Sequence, residues 1–209
     1  MIDWDSCVLW LDSKYFSESF WWDRSQYRND GVVHHAKWKG NAFHFDGNDD
    51  YVDCGNRNSI NFGTGNFSIE VLVYHQYMPL EKFDAIIGKG DTAWNEWMLR
   101  FPCNTRIEMY WGNNAIATTS ELSFENIWRH IVFVRDGDDA YMFIDAVQKG
   151  HSSGVANLNA TNSKNLRVAN ADGASNRYYH GYIDTVRLYD KALNTNEIKI
   201  LYELSYMRD

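Results

Sequence analysis

Apolar and polar positions alternate in short runs along much of the chain, and Gly, Asn and Asp clusters separate the runs. The alternation is plainest in "FSIEVLVYHQ" (67–76), where Ile69, Val71 and Val73 point one way and Glu70, Leu72 and Tyr74 the other. Runs of this kind predict strands at 7–11, 31–36, 41–47, 51–55, 67–76, 84–90, 96–101, 106–112, 115–120, 128–137, 140–148, 165–170 and 181–190. Asp136-Gly137 reads as a hairpin turn. Only two prolines interrupt the pattern, so most runs are free to join a sheet. Near the end the period changes. In "NTNEIKILYEL", Asn194 and Glu197 form a capping box, and Ile198, Leu201 and Tyr202 follow at helical spacing. No linker, low-complexity tract or internal repeat divides the chain, so residues 1–209 read as one domain. Many short strands with one terminal helix predict an all-β sandwich.

Composition adds one feature. The 209 residues include 9 Trp, 13 Tyr and 11 Phe. Aromatics suit a pleated, half-buried surface, and they also stack on the apolar faces of sugars. The formal net charge of −8 argues against nucleic acid, whose partners are normally basic, and against anionic membranes. No apolar run approaches the length of a membrane span, and no signal peptide follows Met1, so no membrane insertion is expected. The three cysteines, Cys7, Cys54 and Cys103, form no metal-binding spacing and read as free thiols.

A carbohydrate site pairs an aromatic platform with convergent amides, carboxylates or Arg. "GDTAWNEW" and "YWGNN" hold that mixture. Trp94 and Trp97, or Tyr110 and Trp111, are the candidate platforms, with Asn95, Arg100, Asn113 and Asn114 as partners. Trp94 and Trp111, flanking loops, are the better surface candidates; Trp97 and Tyr110 are expected in the core. The adjacent His34 and His35 read as structural.

The order of landmarks resembles laminin-G-like, concanavalin A-like domains. "NAFHFDGNDDYVDCG" is similar to their "ALxFDGxxDYVxxG", "NFSIEVLVYHQ" to "FTIxxWVxP" and "AIIGKGD" to "xIIxKGx". "WRHIVFVRDGDDAYMFIDAVQ" resembles their "WHHV" hairpin, and "YYHGYIDTVRLYDKALNTNEIKILYE" their closing "FxGxIDEVRIYNRALSxxEIxxLY". Together these pieces run from about residue 7 to 204. The resemblance implies a two-sheet antiparallel jelly-roll sandwich with a short C-terminal helix, and it places Trp128 in the core. It also implies a calcium loop at 23–31, with oxygens from Asp23, Asn29, Asp30 and Asp184. Gln26, Tyr27 and Arg28 depart from the small residues usual there, and an Asx-type turn is the competing reading. Asp184 has a competing role too, a salt bridge to Arg24 or Arg187. A second, pentraxin-like calcium position would draw on Asn95, Glu96 and Asp172, but Trp94 replaces its first aspartate.

The family's hydrolases carry paired carboxylates on one strand. Here "FSIEVLVYH" offers only Glu70 and "RIEMYWG" only Glu108, so no enzyme is expected. His75 and His130, with the many tyrosines, leave a lyase-type pair open. The expectation is a non-catalytic, lectin-like binding module whose partner is a glycan or protein surface. The alternative is a structural part of a phage or viral particle, such as a capsid decoration, formed as a homo-oligomer or particle assembly. It would sit on the virion surface, or in the cytoplasm before release.

Overall fold

The structure is a computed structural model that describes residues 1–76, 83–91, 93–120 and 122–207. Its strands are β1 (Cys7–Phe16), β2 (Phe20–Asp23), β3 (Gly31–His34), β4 (Lys37–Lys39), β5 (Ala42–Asp46), β6 (Tyr51–Asp53), β7 (Phe67–His75) and β8 (Asp84–Lys89). They continue as β9 (Trp97–Cys103), β10 (Arg106–Trp111), β11 (Asn114–Ile116), β12 (Trp128–Asp136), β13 (Asp139–Ile144), β14 (Val147–Ser153), β15 (Arg167–Val168) and β16 (His180–Tyr189). One helix, α1, covers Thr195–Tyr206.

A single hydrogen-bonded path runs β11-β10-β9-β8-β15-β6-β3-β2-β1-β16-β7-β12-β13-β14. The path folds over itself, so its two halves face each other as the layers of the expected antiparallel sandwich. Between them Phe67 of β7 meets Trp97 of β9, Trp111 of β10 and Phe133 of β12, with ring centroids 5.6–6.0 Å apart. Ile69, Val71 and Val73 are buried in the same core, as their alternation predicts.

The outer face of the first layer carries the other set. β7 lies between β12 and β16, which places Trp128, Tyr74 and Tyr182 in one cross-strand row and Val132, Glu70 and Arg187 in another. Helix α1 covers the second row. Ile198 and Leu201 pack on Val132, Phe143 and Tyr189. The capping box is formed, with the Asn196 and Glu197 amides donating to Asn194 and the Asn194 amide donating to Glu197. Gly181 holds β16 against β7 at the aromatic row. A Cβ there would lie 2.1 Å from the Tyr74 carbonyl oxygen, and its φ of +147° is left-handed territory. Among the described residues, no helix is long and apolar enough to cross a membrane.

The stretch 21–31 divides. Trp21 points into the core against Phe43, while Trp22 points outward and stacks on Phe20. A four-residue strand separates the two tryptophans by face. His34 stacks on Tyr51 at 4.3 Å, and His35 sits in the following turn at φ 59° beside Asp49.

Candidate functional site

Of the sugar-site residues expected near 91–97 and 110–114, Arg100, Tyr110 and Asn113 meet one another, but the set is not gathered around one open platform. Trp111 is fully buried, a correction to its placement beside a loop: β10 pairs Trp111 with Trp97, and both rings enter the sandwich. Trp97 donates its indole N–H to the Ala160 carbonyl, so neither ring is open to a ligand. Arg100 is buried in a pair with Glu108 (2.8 Å) and lies 3.6 Å over the Tyr110 ring. The Tyr110 hydroxyl donates to Asn113, Asn114 donates to the Gly112 carbonyl, and Asn95 donates to the Thr161 carbonyl. Asp172 pairs with Arg167 at 3.0 Å and accepts from the Asn165 amide. Glu96 closes its own turn by accepting from the Asp91 and Ala93 amides. Of the aromatic candidates, Trp94 alone stands out from the surface, at 76% exposure, and Asn113 and Asn114 are exposed with it. Thr92 lies outside the described residues.

The proposed calcium ligands are also committed elsewhere. Asp23 is fully buried. Its Oδ1 accepts from the Trp10 and Ser25 amides, and its Oδ2 accepts from the Ser25 hydroxyl and the Asn29 amide. Both oxygens are thus saturated by donors, the chemistry of an Asx turn. Asp30 accepts from the Asp23 amide, and Asn29 ties Val8 and Ser59. Asp184 accepts from the Ser13 and Thr185 hydroxyls. Arg24 pairs with Asp12 and Arg187 with Glu70, so neither is the partner of Asp184. A hard cation needs six to eight free oxygens. The residues of the 23–31 loop do not fit one. Among the described residues, the one metal-competent trio is His35, Asp49 and Asp50, which contains none of the expected ligands.

A concave site lies instead on the open part of the outer face. Trp128, Tyr74 and Tyr182 form a ladder across β12, β7 and β16, with centroid spacings of 5.7 and 5.8 Å. Two adjoining cavities, about 220 and 360 Å³, share Trp128 and Asn41. Leu72, Lys14, Asp184 and Tyr206 line the first; Lys39 and Gln76 join the tyrosines around the second. Tyr206, from the last turn of α1, reaches the Trp128 carbonyl and forms one wall. Trp128, expected in the core, is half-buried and faces this groove. The reason is register. Trp128 opposes Tyr74, which belongs to the outward set of β7, so it shares that face. The alternation of β7 already placed Tyr74 outward, and the pairing of the two strands was the missing piece.

Residues 46–199 match the concanavalin A-like lectin/glucanases superfamily. The chain belongs to that superfamily. No curated protein sequence matches it. Among solved structures, the binding domain of Paraclostridial mosquitocidal protein 1 superposes with a TM-score of 0.78 at 17% identity, covering 97% of this chain and 53% of that one. The receptor-binding domain of botulinum neurotoxin C/D mosaic serotype gives 0.74 at 16% identity, covering 99% and 53%. Trypanosoma rangeli sialidase in complex with sialic acid gives 0.75 at 17% identity, covering 97% and 33%. The chain therefore spans about half of each toxin domain and a third of the sialidase, and at these identities the likeness is one of fold.

A superfamily of lectins and glucanases holds both binders and enzymes, so chemistry has to be read from the site. Glu70 lies beneath α1, where Arg187 (2.7 Å), Tyr189 (2.9 Å) and His130 (3.2 Å) donate to it. Burial pushes its carboxyl up, but the Arg187 charge and the His130 contact overcome this and hold it at about 2. Glu108 is closed off by Arg100. His75 is buried against Phe101, and burial lowers it to about 4. Among the described residues lining the groove, Asp184 is the single carboxylate.

Proposed function

We propose that this protein is a non-catalytic glycan-binding module whose ligand lies along the Trp128–Tyr74–Tyr182 groove. The carrying observation is that ladder: three half-exposed rings on the outer face of an otherwise closed sheet, with Asn41, Gln76 and Lys39 at its border. Rings of this kind stack on sugar C–H faces while amides and ammonium groups meet the hydroxyls. The larger cavity, about 360 Å³, lies within the range usual for small-ligand sites, roughly 300–1,000 Å³, and the adjoining one of about 220 Å³ extends it. Binding domains among the structural neighbours support the same reading. A two-carboxylate hydrolysis needs a second acid facing Asp184 across the sugar, and the groove lining supplies amides, lysines and phenols in its place.

A glycan array followed by calorimetry on the best hit tests the proposal. Trp128→Ala and Tyr182→Ala are each expected to weaken binding at least tenfold while the circular dichroism spectrum stays that of the parent. Trp94→Ala is expected to leave affinity unchanged. Loss of binding in Trp94→Ala, with Trp128→Ala unaffected, would move the site to the 91–97 turn. Release of reducing ends, or of the unsaturated sugars an elimination leaves, would make the protein an enzyme.

A further inference from the structure

The charges around the groove are uneven. Lys39 of β4 stands at one end, with its Nζ 3.4 Å from His44 Nδ1. Lys14 of β1 stands at the other end, across Asn41. Among the described residues, neither ammonium has a carboxylate within 4.0 Å. Arginines on the ladder strands β12 and β16 behave differently. Arg129 is paired with Asp145, and Arg187 with Glu70. Asp184 is held by the Ser13 and Thr185 hydroxyls. Among the described residues, the groove lining thus carries two ammonium groups against one carboxylate, on a chain of net charge −8. At physiological ionic strength charges beyond about 8 Å are largely screened, so a ligand in the groove meets these groups before the acidic whole. His44, which touches Tyr182 edge-on, is held below its usual range chiefly by burial, with the Lys39 and His180 charges adding to it and the Asp46 charge and the Gln76 hydrogen bond opposing it.

Building on the binding-module reading above, we infer that the groove takes an anionic glycan, with Lys39 and Lys14 meeting its negative groups while the aromatic ladder carries the sugar rings. An ammonium–anion hydrogen bond is about twice as strong as a neutral one, and neither lysine gives up a described carboxylate to make it. The shared chemistry is a negatively charged sugar. Carboxylate and sulfate are its two sources.

Matched probes separate them: oligogalacturonate against its methyl ester for carboxylate, and a heparin-derived hexasaccharide against its desulfated form for sulfate. Calorimetry is expected to show at least one member binding tenfold or more above its less charged partner. Lys39→Gln combined with Lys14→Gln should erase that preference at an unchanged melting temperature, and added salt should weaken the more highly charged probe more than its partner. Equal binding of both members of each pair, or a preference that survives the double variant, would overturn the inference. Neutral glycans that bind in a Trp128-dependent way would overturn it while leaving the module reading intact. No binding of any glycan, on the array or by calorimetry, would remove both.

Discussion

Glu70 shows how one side chain divides the outer face. It sits two residues from Leu72 and four from Tyr74 on the same side of β7, yet the helix seals it in a pair with Arg187 while Tyr74 stays open. Alternation in the sequence assigns all three to one face. It does not show where α1 lands, because that depends on Val132, Phe143 and Tyr189 from three other strands. The pairing has a measurable sign. Glu70 titrates at about 2 in the folded chain against an ordinary 4.5, so its stabilisation is complete above about 4.5 and is lost as pH falls toward 2. Glu70→Gln strands the Arg187 charge and is expected to cost about 3–5 kcal/mol. Thermal melts across that acid range should show a lower Tm for the variant at neutral pH and a flatter acid dependence. Asp23 supports a second prediction. Its two oxygens accept four hydrogen bonds, so excess chelator is expected to leave the Tm unmoved, whereas Asp23→Ala leaves the Trp10, Ser25 and Asn29 amides without their acceptor and should lower it. A chelator-dependent drop in Tm would show a structural cation.

At the scale of elements, β7, β12 and β16 were legible because their alternation is long and their flanks carry clear turn residues. Three shorter elements were not. The run expected as one strand at 140–148 is two, β13 and β14, divided at Asp145 and Ala146. Both of those residues have positive φ, 51° and 62°, the geometry of a tight hairpin turn, but Asp-Ala lacks the glycine that usually marks it. Strand β2 lies within the aromatic stretch at 20–23, where neighbouring rings hide the alternation, and β4 is only three residues long. The start of the helix was legible to the residue, because a cap is a local hydrogen-bond pattern that needs no tertiary partner, while its end runs two residues past the stretch read, to Tyr206. Asn194→Ala removes both amide contacts of that cap. The expected loss is about 1 kcal/mol, which for a chain of this size lowers the Tm by about 2–4 °C. Differential scanning calorimetry of the purified variant measures it. A larger fall would mean that α1 holds the sheet more tightly than its packing on Ile198 and Leu201 implies.

For the molecule as a whole, the family match starts at residue 46, but the fold does not. β16 pairs with β7 along one side, and on its other side with β5 at residues 180–183 and with β1 at 185–189. β1 lies wholly before residue 46, and so does β5 apart from its last residue, Asp46. β1 also pairs with β2, and so links β16 to the β2-β3-β6 part of the hydrogen-bonded path. The first 45 residues further supply Leu9, Leu11, Trp21, Phe43 and Phe45 to the core. A chain starting at residue 46 would leave one side of β16 without a ladder and Ile183, Val186 and Leu188 without much of their cover. Unpaired edge groups and exposed apolar rings favour aggregation. Residues 46–209 alone are therefore expected to be insoluble, or to lack a cooperative thermal transition, whereas residues 1–209 unfold in one step. Circular dichroism melts and limited proteolysis of the two chains check this. A folded, protease-resistant 46–209 fragment would show that β1 to β5 are an addition to the sandwich rather than part of its core.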